Sequence, residues 1–190
     1  AKNDYDKQVL WQLLGISADG LGAIEKIFAI SPASELLPLL LVREVNKAER
    51  DLGEYRTEQT WSNKPGRPYA DIVGKKRMAA LKRIADTQKA YKPYLWNAAI
   101  GHLYALIGDN PAATSYLDRA EKEVGADAAV AAQVRMTRLL VRAQSGKTAD
   151  KSMEPYLASE LTWLADSKNS RAPDLSSYVL ELISKRYRTS

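Results

Sequence analysis

The strongest constraint on this 190-residue chain is a series of apolar stripes at three- and four-residue spacing, separated by short links rich in breakers. Leu37, Leu41, Val45, Ala48 and Leu52 share one face of a helix. Val130, Val134, Thr137 and Val141 share another, as do Met153, Leu157, Leu161 and Leu164, and, after Pro173, Leu175, Val179, Leu182 and Tyr187. Each stripe is a surface that must be buried against a neighbour. No segment alternates as a half-buried strand would. The spacing predicts nine helices, over about 4–15, 19–30, 34–53, 69–91, 93–107, 111–124, 127–145, 151–166 and 173–188. Links such as Gly108-Asp109-Asn110-Pro111 and Ser145 to Asp150 return the chain antiparallel, so the expected fold is one all-α domain, 1–190, built of helical hairpins.

One connection breaks the rhythm. Gly53 to Pro68, reading GEYRTEQTWSNKPGRP, is polar and is expected to be a long loop over 54–68. It is either a flexible linker between two halves or an ordered loop pinned by Trp61, unless Trp61 merely packs back on the adjacent helices.

Residue inventory then removes much chemistry. The chain has no cysteine and one histidine, which excludes disulfides, thiolate nucleophiles, Cys-ligated metal and any site needing two histidines. No metal or cofactor is expected. The longest apolar run, Leu36 to Val42, is interrupted by Pro38 and falls well short of the roughly 18 residues that span a bilayer. A soluble chain is expected, processed or excised from something longer, with its compartment left open.

A 34-residue register of large and small residues fits residues 94–127. Ile100 and Gly101, Tyr104, Gly108, Ala113, Leu117 and Ala120 occupy the packing and turn positions, while Trp96 falls one residue early and Gly125 stands where a proline closes the pattern. Gly101 and Ala113 would let two helices approach closely, with Tyr104 and Leu117 filling the space beside them. This window resembles a tetratricopeptide repeat (TPR). A weaker echo at the N-terminus uses Trp11, Gly20, Ile24, Ile27 and Pro32, and the seventh and eighth helices repeat the hairpin with Gly146 at the turn but depart from the pattern at Arg135, Leu139 and Arg142. The run SPASELLPLLLVREVNKAE also resembles helical-repeat regions of large, uncharacterised exported bacterial proteins. The TPR resemblance implies a right-handed α-α superhelix whose concave groove binds a protein or peptide, with Leu95, Ala98, His102 and Ala105 facing inward.

Other candidate sites are weaker. His102, among aromatic and aliphatic neighbours, lacks metal or triad partners at readable spacing and reads as a packing residue. Ser145-Gly146-Lys147-Thr148 ends like a phosphate loop, but Val141 stands where the first glycine is needed. Gly20 and Gly22 open a G-x-G pattern that Glu25 interrupts. Glu44, Glu49, Asp51, Glu54 and Glu58, interleaved with Arg43, Lys47, Arg50 and Arg56, read as a solvated, salt-bridged face.

The formal charge of +5 is local. Residues 64–92 carry +7, the preceding 63 residues −3 and the following 98 residues +1. On a helix over 69–91, Lys75, Lys76, Lys82, Arg83 and Lys89 cover an arc of about 140°, opposite Val73, Met78, Leu81, Ile84 and Ala85. With only Tyr69 and Tyr91 nearby, the stacking rings of a single-strand binder are missing, and nucleic acid is not the expected partner. The expectation is a non-enzymatic helical-repeat scaffold for protein or peptide partners. An anionic-polymer binder using the basic helix, for nucleic acid or a membrane surface, is the first alternative. An all-helical carbohydrate-active or lytic enzyme is the second.

Overall fold

Gly101 shows how the sequence builds this molecule. In the computed structural model a Cβ added at Gly101 would lie 2.9 Å from Leu117 side-chain atoms and 3.3 Å from the Ala113 carbonyl, so two helices meet here at a distance that no side chain permits. These are α6 (Pro93–Ile107) and α7 (Asn110–Glu123), joined at Gly108, which adopts φ 83°. Tyr104 stacks on Tyr116 across the hairpin at 5.7 Å, and Ala113, Leu117 and Ala120 are buried. The steric logic read from residues 94–127 holds for this pair.

Residues 3–61, 66–146 and 150–189 are described, without the side chains of Thr60, Trp61 and Thr189. Among them are ten α-helices, one short 3-10 turn and no strand. No described helix is long and apolar enough to cross a membrane. The chain divides into two compact units, 1–126 and 127–190.

The first unit holds α1 (Asp4–Ser17), α2 (Gly20–Ile30), α3 (Leu37–Trp61), α4 (Tyr69–Val73) and α5 (Lys75–Thr87), together with α6 and α7. Its core gathers Ile24, Ile27, Leu37, Leu41, Leu81, Ile84, Trp96 and Leu103. Of the sequence-derived stripes, the face of Val73, Met78, Leu81, Ile84 and Ala85 is buried throughout.

Two boundaries differ from the periodicity. The predicted helix 69–91 is interrupted at Gly74, whose φ of 94° is a conformation that favours glycine, and it stops at Thr87. Gln88 turns left-handed there, and its amide exchanges two 3.2 Å hydrogen bonds with the fully buried Asn97 amide. The predicted loop 54–68 is helical as far as Trp61. A Cβ at Gly53 would meet only open space, and Tyr55, two residues on, is 7% exposed and donates its hydroxyl to the Arg67 carbonyl at 3.1 Å. Polar composition hid a helix that one tyrosine anchors. The Trp61 side chain and Lys64 lie outside the described residues.

The second unit holds α8 (Ala128–Ser145), a 3-10 turn (Lys151–Met153), α9 (Glu154–Asp166) and α10 (Ala172–Thr189) around Met136, Leu139, Ala143, Leu164, Ala172 and Val179. Its departures from the repeat pattern have local causes. Arg135 grips the mostly buried Glu160 through Nε and Nη2, at 2.8 and 3.2 Å, while lying 4.0 Å over the Trp163 ring. Arg142 stays exposed, over Tyr156 at 5.7 Å. Arginine to aromatic and carboxylate contacts replace small-to-large packing.

Candidate docking surface on the first and third helices

Helix α1 begins at Asn3, whose side chain accepts from the Asp6 amide at 2.8 Å. It then packs through small and polar residues. Gly15 admits the Ala23 Cβ and Leu40, which an added Cβ would meet at 2.6 and 3.0 Å, and Gln12 donates to the Leu36 carbonyl at 2.9 Å. The consequence is that its larger residues stay outside: Leu10, Leu13 and Leu14 are each more than half exposed.

Helix α3 divides its apolar residues the same way. Leu37, Leu40, Leu41 and Ala48 point into the core, while Leu39 and Val42 are 54% and 45% exposed. Ile16, Leu39 and Val42 form the apolar side of an open pocket of about 410 Å³, and Arg43, Lys47 and Arg50 form its basic side, with Asn46 between. Among the described residues no carboxylate lines it. Exposed apolar side chains bordered by polar groups make this surface the candidate docking site.

The acidic cluster of α3 explains the sign of that pocket. Expected to be solvated, it is instead partly internal. Glu44 is 3% exposed and meets Lys47 Nζ at 2.8 Å and Arg77 Nε at 3.2 Å. Glu49 meets His102 Nε2 at 2.7 Å, and Asp51 lies 3.5 Å from Arg77. Glu54 and Glu58 remain exposed. Each inward carboxylate has a basic side chain against it, as buried charge requires. Gly20 fits this network: an added Cβ would overlap the Glu44 carboxylate.

The groove register lies elsewhere than expected. Ala98, His102 and Ala105 are buried and Leu95 is half-buried, because residues 96–103 of α6 are buried on every side. His102 shares its face with Glu49 of α3, and Arg56 of α3 reaches the Leu106 carbonyl. In the folded unit Ala98, His102 and Ala105 lie in the interior, and Leu95 packs partly buried against the core.

The basic face is exposed but largely paired. Lys75 bonds Asp71 at 2.7 Å, Lys82 bonds Asp86 and Arg83 bonds Glu25, leaving Lys76 and Lys89 without an ion pair among the described residues. Arg77, from the same basic run, turns inward to Glu44. Asp86 also accepts from the Tyr116 hydroxyl at 2.6 Å and from Arg119 at 3.2 Å, tying α5 to α7. Burial alone would raise its pKa, but the Lys82, Tyr116 and Arg119 donors outweigh that and hold it below the ordinary aspartate value. A depressed folded pKa contributes stability that is complete above the unfolded aspartate value and is lost as the pH falls through the folded one. The urea midpoint should therefore drop more between pH 6 and pH 3 in the native chain than in Asp86→Asn. The difference should not exceed about 1 kcal/mol, because the side chain is 36% exposed and screened. Equal drops would show that Asp86 adds nothing.

Of the phosphate-loop echo, only Ser145 and Gly146 are described. Ser145 Oγ bonds back to the Val141 carbonyl at 2.7 Å, a Cβ at Gly146 would lie 2.8 Å from Arg186, and Lys147 and Thr148 lie outside the described residues. At the G-x-G echo, Asp19 caps α2 by accepting from the Gly22 amide at 2.9 Å, placing a carboxylate where a pyrophosphate would sit. No group of three metal-ligating side chains occurs among the described residues.

The surface of α1 and α3 was legible in part. The run LPLLLV at 37–42 holds more apolar residues than one helical stripe can bury, and WQLL at 11–14 repeats the excess. Compared with known protein families, curated proteins and solved structures, neither the sequence nor the fold gives a match.

Proposed function

We propose that this chain is a non-enzymatic, TPR-like helical-repeat scaffold that binds a protein partner. The observation that carries the reading is the exposed apolar surface of α1 and α3, with Leu39 and Val42 bordering an open pocket. The tight α6 and α7 hairpin supports the repeat assignment, and a right-handed superhelix is the arrangement such hairpins adopt when stacked. Binding through the pocket is favoured over anionic-polymer binding, since three of the five basic-face side chains already hold carboxylates. It is favoured over acid-base catalysis because the inward carboxylates Glu44, Glu49 and Glu160 are each held against a basic side chain.

Amide NMR locates the site. Titration with amphipathic helical peptides should shift resonances of residues 10–17 and 39–50. Leu39→Asp combined with Val42→Asp should weaken binding about tenfold or more, given the apolar burial lost, while leaving the helical circular dichroism unchanged. Shifts confined to 75–89, or steeply salt-dependent RNA retention on filters with no peptide response, would replace this reading with the polymer-binding one.

A further inference from the structure

Resting on that protein-binding reading, we infer that the partner element is an acidic amphipathic helix, seated along α3 with its apolar side on Ile16, Leu39 and Val42 and its carboxylates on Arg43, Lys47 and Arg50. The apolar requirement follows from the pocket wall. The helical one follows from repeat length. Arg43, Lys47 and Arg50 stand at i, i+4 and i+7, a span of about 10 Å at 1.5 Å per residue, and Glu or Asp at the same intervals on a helix lying alongside would face them in register.

The charge requirement follows from what the fold has done with its own carboxylates. Glu44, the acidic residue next to Arg43, is buried against Arg77 and Lys47, so among the described residues three cations and no anion border the pocket. Among the described residues Arg43 has no ion pair. Arg50 reaches Asp51 and Glu54 only at 3.8 Å and is 64% exposed, contacts that water and salt screen heavily and that a partner carboxylate can displace. Lys47 holds Glu44 with one of its three donors.

A second copy of this chain is disfavoured by the same inventory. In a two-fold pairing the surface meets itself, and Arg43, Lys47 and Arg50 would meet like charges.

The test uses the full chain and fluorescence anisotropy with three labelled helical peptides that share one apolar face and carry Glu, Gln or Lys on its flanks, alongside vesicles of phosphatidylglycerol and of phosphatidylcholine. The Glu peptide should bind most tightly, with an affinity that falls as salt rises. Arg43→Glu should weaken that peptide about tenfold and improve the Lys peptide, a reversal that loss of fold does not produce. Leu39→Asp should weaken every peptide. Gln or Lys peptides binding as well as the Glu peptide, still sensitive to Leu39→Asp, would overturn the acidic partner and leave the protein-binding reading intact. Self-association abolished by Leu39→Asp would overturn the acidic partner alone, whereas binding of phosphatidylglycerol vesicles without any peptide, or no binding to any probe, would overturn both.

Discussion

Replacing Glu44 with Ala should cost the first unit about 3–5 kcal/mol, seen as a large drop in the urea midpoint. The carboxylate is 3% exposed and lies between Lys47 and Arg77, and the Arg77 side chain is itself only 17% exposed. Removing the anion leaves a guanidinium buried without its nearest counterion, holding only the Val73 carbonyl and, at 3.5 Å, the Asp51 carboxylate among its described partners. Two further variants separate the ion pair from simple packing. Glu44→Ala with Arg77→Met removes both charges and should recover most of the loss, as apolar replacements of buried pairs generally do. Gly20→Ala should destabilise the native chain, because its Cβ overlaps the Glu44 carboxylate, but should be tolerated or favourable in Glu44→Ala, where it fills vacated space. Additive effects across the three variants would mean that Glu44 does not sit where these contacts place it.

Glu44 also shows how far sequence reasoning reached. The helix-forming stripes and the α6 and α7 hairpin were legible, because 3.6-residue periodicity and the pairing of small with large residues act locally. The partner of a charge need not be local. Glu44 sits three residues after Leu41 and four before Ala48, squarely on the buried stripe, which signals an inward carboxylate in need of cations; Lys47 one turn on is readable from spacing, but that the second cation is Arg77, 33 residues away, only the fold supplies. The basic run failed as a single helix for a related reason: Gly74 gives α4 and α5 different directions, and one of the run's arginines serves the core.

The burial of the expected groove residues had a signal in the sequence. PYLWNAAIGHLYALI, the whole of α6, contains no charged residue, and a helix without a charged face is one that neighbours surround. Register borrowed from a repeat places Leu95, Ala98, His102 and Ala105 on a concave surface; burial of residues 96–103 closes that surface with the chain's own helices. The apolar side chains that stay exposed belong instead to the helices with surplus apolar residues, α1 and α3, where the proposed partner would dock. Their excess over one stripe was visible in the sequence, although which residues stay outside depends on Gly15 and Gln12 drawing α1 against its neighbours.

Trp96 offers the sharpest test of α6 as the buried centre of the unit. It is completely buried, and Trp96→Ala should destabilise by about 3–5 kcal/mol through lost burial and the cavity left behind. Its indole N–H, however, has no hydrogen-bond partner among the described residues. A buried unpaired donor costs about 1–3 kcal/mol, a penalty that phenylalanine does not carry. Trp96→Phe gives up part of the ring area but also that penalty, so its net cost should stay within about 1.5 kcal/mol. The contrast between the two variants is the informative quantity: a steep Ala loss with a shallow Phe loss marks an indole held by packing alone. Should Phe cost nearly as much as Ala, the N–H must have a partner, and α6 would be held by a polar contact as well as by its apolar surround.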